Sequence, residues 1–122
     1  MSEPIVIKLP VKTVSEANIR EHWALKARRA RNQRQTALLF TQLAVRKFKP
    51  SWFPVKGKLV ITITRIGVRQ LDDDNLARAH KAVRDGIADA LKVDDGDDRL
   101  SWCYEQRRGD VREYHVLVKL EA

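Results

Sequence analysis

Asp72-Asp73-Asp74-Asn75 is the densest run of chemically capable side chains in the sequence. A second acidic run, Asp94-Asp95-Gly96-Asp97-Asp98, follows it. In an extended segment alternate side chains share a side, so Asp72 and Asp74 point together while Asp73 points away. Two close carboxylates repel and raise each other's pKa unless a cation lies between them. A hard divalent ion such as Mg²⁺ takes oxygen ligands of this kind, with water and substrate phosphate filling the rest of its shell. The second run offers a third carboxylate. Its spacing does not fit an EF-hand loop, which needs alternate ligands, a central glycine and a closing glutamate. The plainer account of all these acids is that they cap a helix and decorate a solvated loop.

The segment between the two runs must position them. Leu76, Val83, Ile87 and Leu91 form one stripe at helical spacing, with Ala79 and Ala90 beside it. Asp74, Arg78, Lys81 and Asp85 fall on a second line on the opposite side. The pattern predicts an amphipathic helix over 75–92 with one buried face and one face of alternating charge. Such a charged line by itself stabilises a helix by a few tenths of a kcal/mol per pair.

The other elements follow from local signals. Residues 4–9 are short and β-branched between prolines, which predicts a strand rather than a signal peptide. Thr13-Val14-Ser15-Glu16 has the form of a capping box, and a long basic helix is expected from there to Lys49, before Pro50. A break around Arg31-Asn32 is expected because apolar periodicity is poor there. Val55 to Ile66 alternates as a strand, with Leu59, Ile61 and Ile63 on one side and Val60, Thr62 and Thr64 on the other. The pair 100–106 and 112–120 is expected as a hairpin turning at Arg108-Gly109-Asp110. The sum is one small α+β domain spanning 1–122. Its mixed or antiparallel sheet is packed with the long basic N-terminal helix and the amphipathic helix after the acidic motif.

Charge is partitioned along the chain. Residues 1–70 carry 15 basic and 3 acidic side chains, residues 71–98 carry 4 and 9, and residues 99–122 carry 5 and 4, for a total of +8. A basic surface of this kind favours polyanions. Arg20, Arg28, Arg31 and Arg34 fall on one broad sector of the first helix and are candidate phosphate contacts. The acidic island would repel the same partner unless a divalent cation neutralised it. No apolar run approaches the roughly 18 residues of a membrane span. A single cysteine excludes an internal disulfide framework and a cysteine zinc site, which makes a reduced, cytoplasmic protein the default.

Asp72-x-Asp74-Asn75-Leu76, the helical Lys81-Ala82-Val83-Arg84-Asp85 and the later Val93-Asp94-Asp95 together resemble the RusA-type endodeoxyribonucleases. These are small dimeric bacterial and prophage Holliday-junction resolvases that require Mg²⁺ and act in DNA recombination and repair. The resemblance covers about residues 59–106, and the basic N-terminal half only in character. It implies metal ligands at Asp72 and Asp74, a third catalytic carboxylate and ligand at Asp95, and a catalytic lysine at Lys81. In the family's shorter form the cation falls at the position of Arg78, which shares a face with Lys81. Measured from the following strand, Asp97 or Asp98 takes the place of Asp95. The resemblance further implies a homodimer on a four-way junction, whose twofold symmetry suits two matched cuts.

The remaining reactive side chains fit structural roles better. His22, His80 and His115 have no paired ligand spacing, and His80 is expected on the helix surface, His115 on a strand. Trp23, Trp52 and Trp102 suit core packing or a subunit contact more than base stacking. Cys103 suits a buried structural thiol. No glycine-rich phosphate loop or Ser/His/Asp order is present. Two alternatives accompany the nuclease reading: a non-catalytic DNA-binding protein whose acids cap a helix, and a nuclease for other branched DNA.

Overall fold

In the computed structural model, residues 3–13 and 22–122 are described. Seven elements follow one another: β1 (Ile5–Leu9), α1 (Trp23–Phe48), β2 (Leu59–Gly67), α2 (Asp73–Ala79), α3 (Lys81–Leu91), β3 (Leu100–Arg108) and β4 (His115–Glu121). They form an α+β domain with one mixed four-stranded sheet in the order β1-β4-β2-β3. β2 and β3 are parallel, while β4 is antiparallel to both β1 and β2.

The sheet buries one face under the helices. Ile5, Ile7 and Leu9 from β1, Leu59, Ile61 and Ile63 from β2, and Val116, Val118 and Leu120 from β4 join one apolar core. Ala37 and Val45 of α1 and Val83, Ile87 and Leu91 of α3 meet them there. The alternation expected for β1 and β2 is therefore present, as is the apolar stripe after the acidic motif. Burial at this scale is the dominant favourable contribution to folding.

Several expectations are corrected. β3 and β4 do not form a hairpin, because β2 lies between them and pairs with both. Turn residues at 108–110 serve a connection across the end of β2, where Gly109 N–H donates to the Gly67 carbonyl at 2.9 Å. A side chain on Gly109 would meet Ile66 Cγ2 at 2.9 Å, so the crossing is tight. β2, buried along most of its length, takes an inner place in the sheet, while β3, which alternates between partly buried and exposed residues, lies at an edge. The amphipathic helix is also two helices. His80, at φ −101° and ψ 4°, ends α2 and precedes α3.

α1 has no break at Arg31-Asn32. Its first turn is capped by His22, which is extended and accepts the Ala24 N–H on Nδ1 at 3.2 Å. Glu16 of the expected capping box lies outside the described residues, as does Arg20. Among the described residues no helix is long and apolar enough to cross a membrane.

α1 and α3 touch through bare backbone. A Cβ on Gly86 would overlap the Arg34 carbonyl oxygen and stand 2.8 Å from Ala37 Cβ. Neither neighbour is the flexible end of a side chain. Gly86→Ala is therefore expected to destabilise the domain by about 2–3 kcal/mol despite improving helix propensity. Chemical denaturation of the variant checks this, and wild-type stability would show that the helices separate freely.

Candidate active site

The first acidic run sits where β2 has ended and α2 begins. Its approach is held by Gln106 on β3, whose amide accepts the Leu71 N–H at 2.9 Å and donates to the Leu71 carbonyl at 2.6 Å. That pair of bonds fixes the backbone entering Asp72. Asp72 then caps α2, accepting the Asn75 N–H at 2.9 Å. Asp73 and Asp74 occupy the first turn, where the partial positive charge of a helix start favours carboxylates. All three aspartates are exposed.

The second run is anchored differently. Asp95 Oδ2 lies 3.0 Å from Arg84 Nε and 3.5 Å from Lys81 Nζ. Its backbone carbonyl accepts from Arg84 Nη2 at 3.1 Å and from Trp102 Nε1 at 2.8 Å. Arg84 in turn lies 4.7 Å from the Trp102 ring centre and donates to the Tyr104 hydroxyl at 3.0 Å. A guanidinium spread over an aromatic face while forking to an acid is a role lysine cannot fill. Partial burial works against the Asp95 anion, but the Lys81 cation, with Arg84, holds its carboxyl below the usual range.

Lys81 also pairs with Asp85 at 2.7 Å, so it bridges two carboxylates on different elements. Asp97, the alternative from the strand side, is instead engaged by Arg99. Its two oxygens accept from Arg99 Nε at 3.0 Å and Nη2 at 2.9 Å, and its carboxyl is pulled down to about 2. Arg99 also donates to the Val55 carbonyl at 2.8 Å, which ties the loop to the start of β2. Asp95 rather than Asp97 is thus the acid beside Lys81.

The expected metal ligands are not gathered. Among the described residues, no three acidic, histidine or cysteine side chains stand close enough together to hold an ion. Asp72, Asp74 and Asp95 supply hard oxygen donors suited to Mg²⁺. In the chain on its own, Asp72 is a helix cap and Asp95 is neutralised by two cations.

The basic residues divide between surfaces. Arg78 and Lys81 line a cleft of about 200 Å³ between α1 and the two later helices, with Lys26, Gln33 and Asp85 on its other walls. Arg28 faces a separate cleft beside Pro10, Val11 and Lys12. Arg31 is exposed. Arg34 is clasped to Asp89 of α3 by two bonds of 2.7 and 3.0 Å, because the basic sector of α1 turns partly toward α3.

Three side chains lie elsewhere than expected. Cys103 is exposed, because it shares the outward parity of Ser101 and Glu105 on β3. Trp23 is exposed, whereas Trp52 is in the core and Trp102 packs against it. His80 is fully buried, not on a helix surface. Its ring stacks on Tyr104 at 6.0 Å and 5°. Neither ring nitrogen makes a well-formed hydrogen bond, and the weak pull of the Leu76 carbonyl is outweighed. Burial, then the nearby Arg65 cation, hold its pKa down to about 4.

With no known family profile matching the chain, the comparison rests on a relative. An uncharacterized protein of Xylella fastidiosa is 31% identical over 99 residues, an overlap of 76% of this chain and 60% of the relative. The chain thus spans well under two thirds of that relative's length.

His80 gives stability a defined pH dependence. The unfolded imidazole protonates near 6.5, while the folded one stays neutral to about 4. Stability is therefore complete above pH 6.5 and falls as pH drops toward 4, by on the order of 3 kcal/mol. The losses from Asp95 and Asp97 come lower, as pH falls below 3.8. Unfolding midpoints from pH 4 to 7 should show this limb in the wild type and not in His80→Phe. A limb of equal size in both proteins would assign it to another group.

Proposed function

We propose that this protein is a Mg²⁺-dependent, structure-selective endodeoxyribonuclease that resolves four-way DNA junctions as a cytoplasmic homodimer in recombination or repair. One observation carries the reading: Lys81 and Asp95, which lie 14 residues apart, come within 3.5 Å of each other beside the cationic cleft that Arg78 also lines. These are the lysine and the late carboxylate that the sequence resemblance implies.

In this reading Asp72, Asp74 and Asp95 would hold the ion, which requires Asp95 to release part of its contact with Arg84 and Lys81. Bound there, Mg²⁺ would polarise the scissile phosphate and acidify a water nucleophile. Lys81, its pKa raised chiefly by the Asp85 hydrogen bond, stays protonated and stabilises charge that develops on the phosphoryl oxygens. Arg78 on the same wall, with Arg28 and Arg31 of α1, neutralises flanking phosphates, so affinity falls as salt rises. Arg20 and Arg34 belong to the same proposed set; Arg34 reaches DNA only by releasing Asp89.

A second reading, a non-catalytic DNA-binding protein, draws on the Asp72 cap and on the full neutralisation of Asp95. The two diverge in one assay with a labelled synthetic junction, run with and without Mg²⁺. Nuclease action gives Mg²⁺-dependent nicks in the wild type. Asp74→Asn, nearly unchanged in shape, should lose at least about 10³-fold in rate, a few kcal/mol of transition-state stabilisation, while binding the junction as well or better. Intact strands with a gel shift favour the binding protein. Equal cutting of flaps and junctions favours a nuclease for other branched DNA, and an active Asp74→Asn enzyme removes that residue from the site.

A further inference from the structure

Beyond the last residue of β2 lies a second cationic feature that the reading above does not use. A cavity of about 440 Å³ is lined by Lys12, Arg65, Arg69 and Arg112, with Tyr114 and Thr13 among the other walls, and no acidic side chain among the described residues borders it. Arg65 is its deepest cation. Only 6% of this residue is exposed, and it has no carboxylate partner among the described residues. Its Nη1 donates to the Arg69 carbonyl and its Nη2 to the Thr13 carbonyl at 3.5 Å, while Nε is buried with no acceptor. A buried ionised group left short of partners is costly, and an anion in the cavity would offset that cost.

The surroundings are shaped for that guanidinium. A Cβ on Gly67 would stand 2.8–3.0 Å from its three terminal atoms, so only glycine there lets the head group lie flat across the strand. Arg112 holds φ of 66°, a left-handed conformation that favours glycine, yet an arginine stands at this position and lines the cavity. Lys12 Nζ sits 4.2 Å from the centre of the Tyr114 ring, placing a cation beside an aromatic wall. Four cations around one cavity repel each other unless an anion enters.

We propose that this cavity binds a phosphate of DNA together with part of its nucleoside, the exposed Lys12, Arg69 and Arg112 donating to the phosphate above the buried Arg65 guanidinium and Tyr114 flanking the sugar or base. The volume exceeds what a bare phosphate fills, and Tyr114 offers the one aromatic surface among its walls. Fork-shaped guanidinium groups suit phosphate oxygens, and planar side chains suit nucleosides. The chain leaves the cavity at Leu71 and enters the acidic run at Asp72, so a nucleotide held here would set the path of the strand toward those acids. The inference rests on the proposed DNA substrate and concerns how the strand is held, not how it is cut.

Two measurements test it on the full chain. Arginine Nε–H resonances are followed while a 5′-phosphorylated thymidine dinucleotide, or inorganic phosphate, is added. The dinucleotide should shift Arg65 Nε–H and the Tyr114 ring signals at lower concentration than inorganic phosphate does. Movement with inorganic phosphate alone, or none with either, overturns the assignment. In parallel, the affinity for a labelled junction is measured for Arg69→Glu and Arg112→Glu, with Lys56→Glu, before the opposite end of β2, as control. Each of the first two should weaken binding about tenfold or more and remove about one unit of salt slope, against a change of about twofold or less in the control. Junction cleavage is scored separately. Weakened binding by a protein that never cuts sinks the nuclease reading and keeps the cavity. Cutting with unchanged affinity in both cavity variants sinks the cavity and keeps the nuclease.

Discussion

β2 is paired on both sides, to β3 in parallel and to β4 in antiparallel, and the remaining architecture depends on that double pairing. A parallel neighbour requires a crossover, which is the stretch containing α2 and α3. An antiparallel neighbour on the other edge requires the chain to cross the end of β2 after β3. Both demands meet at Gly67, the last residue of the strand, whose carbonyl receives the crossing chain. The acidic run at 72–74, buried His80 and the cavity around Arg65 all follow from how the chain leaves that end.

The acidic island is less of a single device than its composition implies. Asp89 is spent on Arg34, Asp97 on Arg99, and Asp85 and Asp95 share Lys81, with Arg84 completing the second. The Asp89 pair fastens helix to helix and the Asp95 pairs fasten loop to helix, while the Asp85 and Asp97 pairs are local. Exposed pairs of this sort contribute little to stability. Arg84 is the exception in kind, since it joins Asp95, Tyr104 and Trp102 in one half-buried cluster. Among the described residues, what remains outward and without such engagement is the run that begins α2, together with Asp94 and Asp98.

Much of the fold was legible because period and burial coincide. The stripe of Leu76, Val83, Ile87 and Leu91 predicts its burial whether the helix is continuous or broken, since each residue is still buried. His80 was not legible, because a polar residue next to Lys81 and two positions after Arg78 reads as surface until the break turns it inward. The false hairpin arose from a turn signal that does not specify which strands it joins. Cys103 follows the outward parity of an edge strand, a matter of register that local sequence does not reveal. At the candidate site, Asp72, Asp74, Lys81 and Asp95 were visible as residue types. Gln106 and Arg65 were not, since one acts through a distant backbone and the other through the absence of a partner. An arginine inside an apolar strand was the one available sign of the latter.

The contact at Gly86 bears on what the neighbouring cleft can recognise. Where two helices meet through side chains, rotamer changes let the seam breathe; where main chain meets main chain, there is nothing to rearrange. α1 and α3 therefore behave as a single rigid jaw, with Lys26 on one arm and Lys81 on the other. An opening of set width works as a gauge. For the proposed DNA substrate it would select by girth and curvature rather than by base sequence.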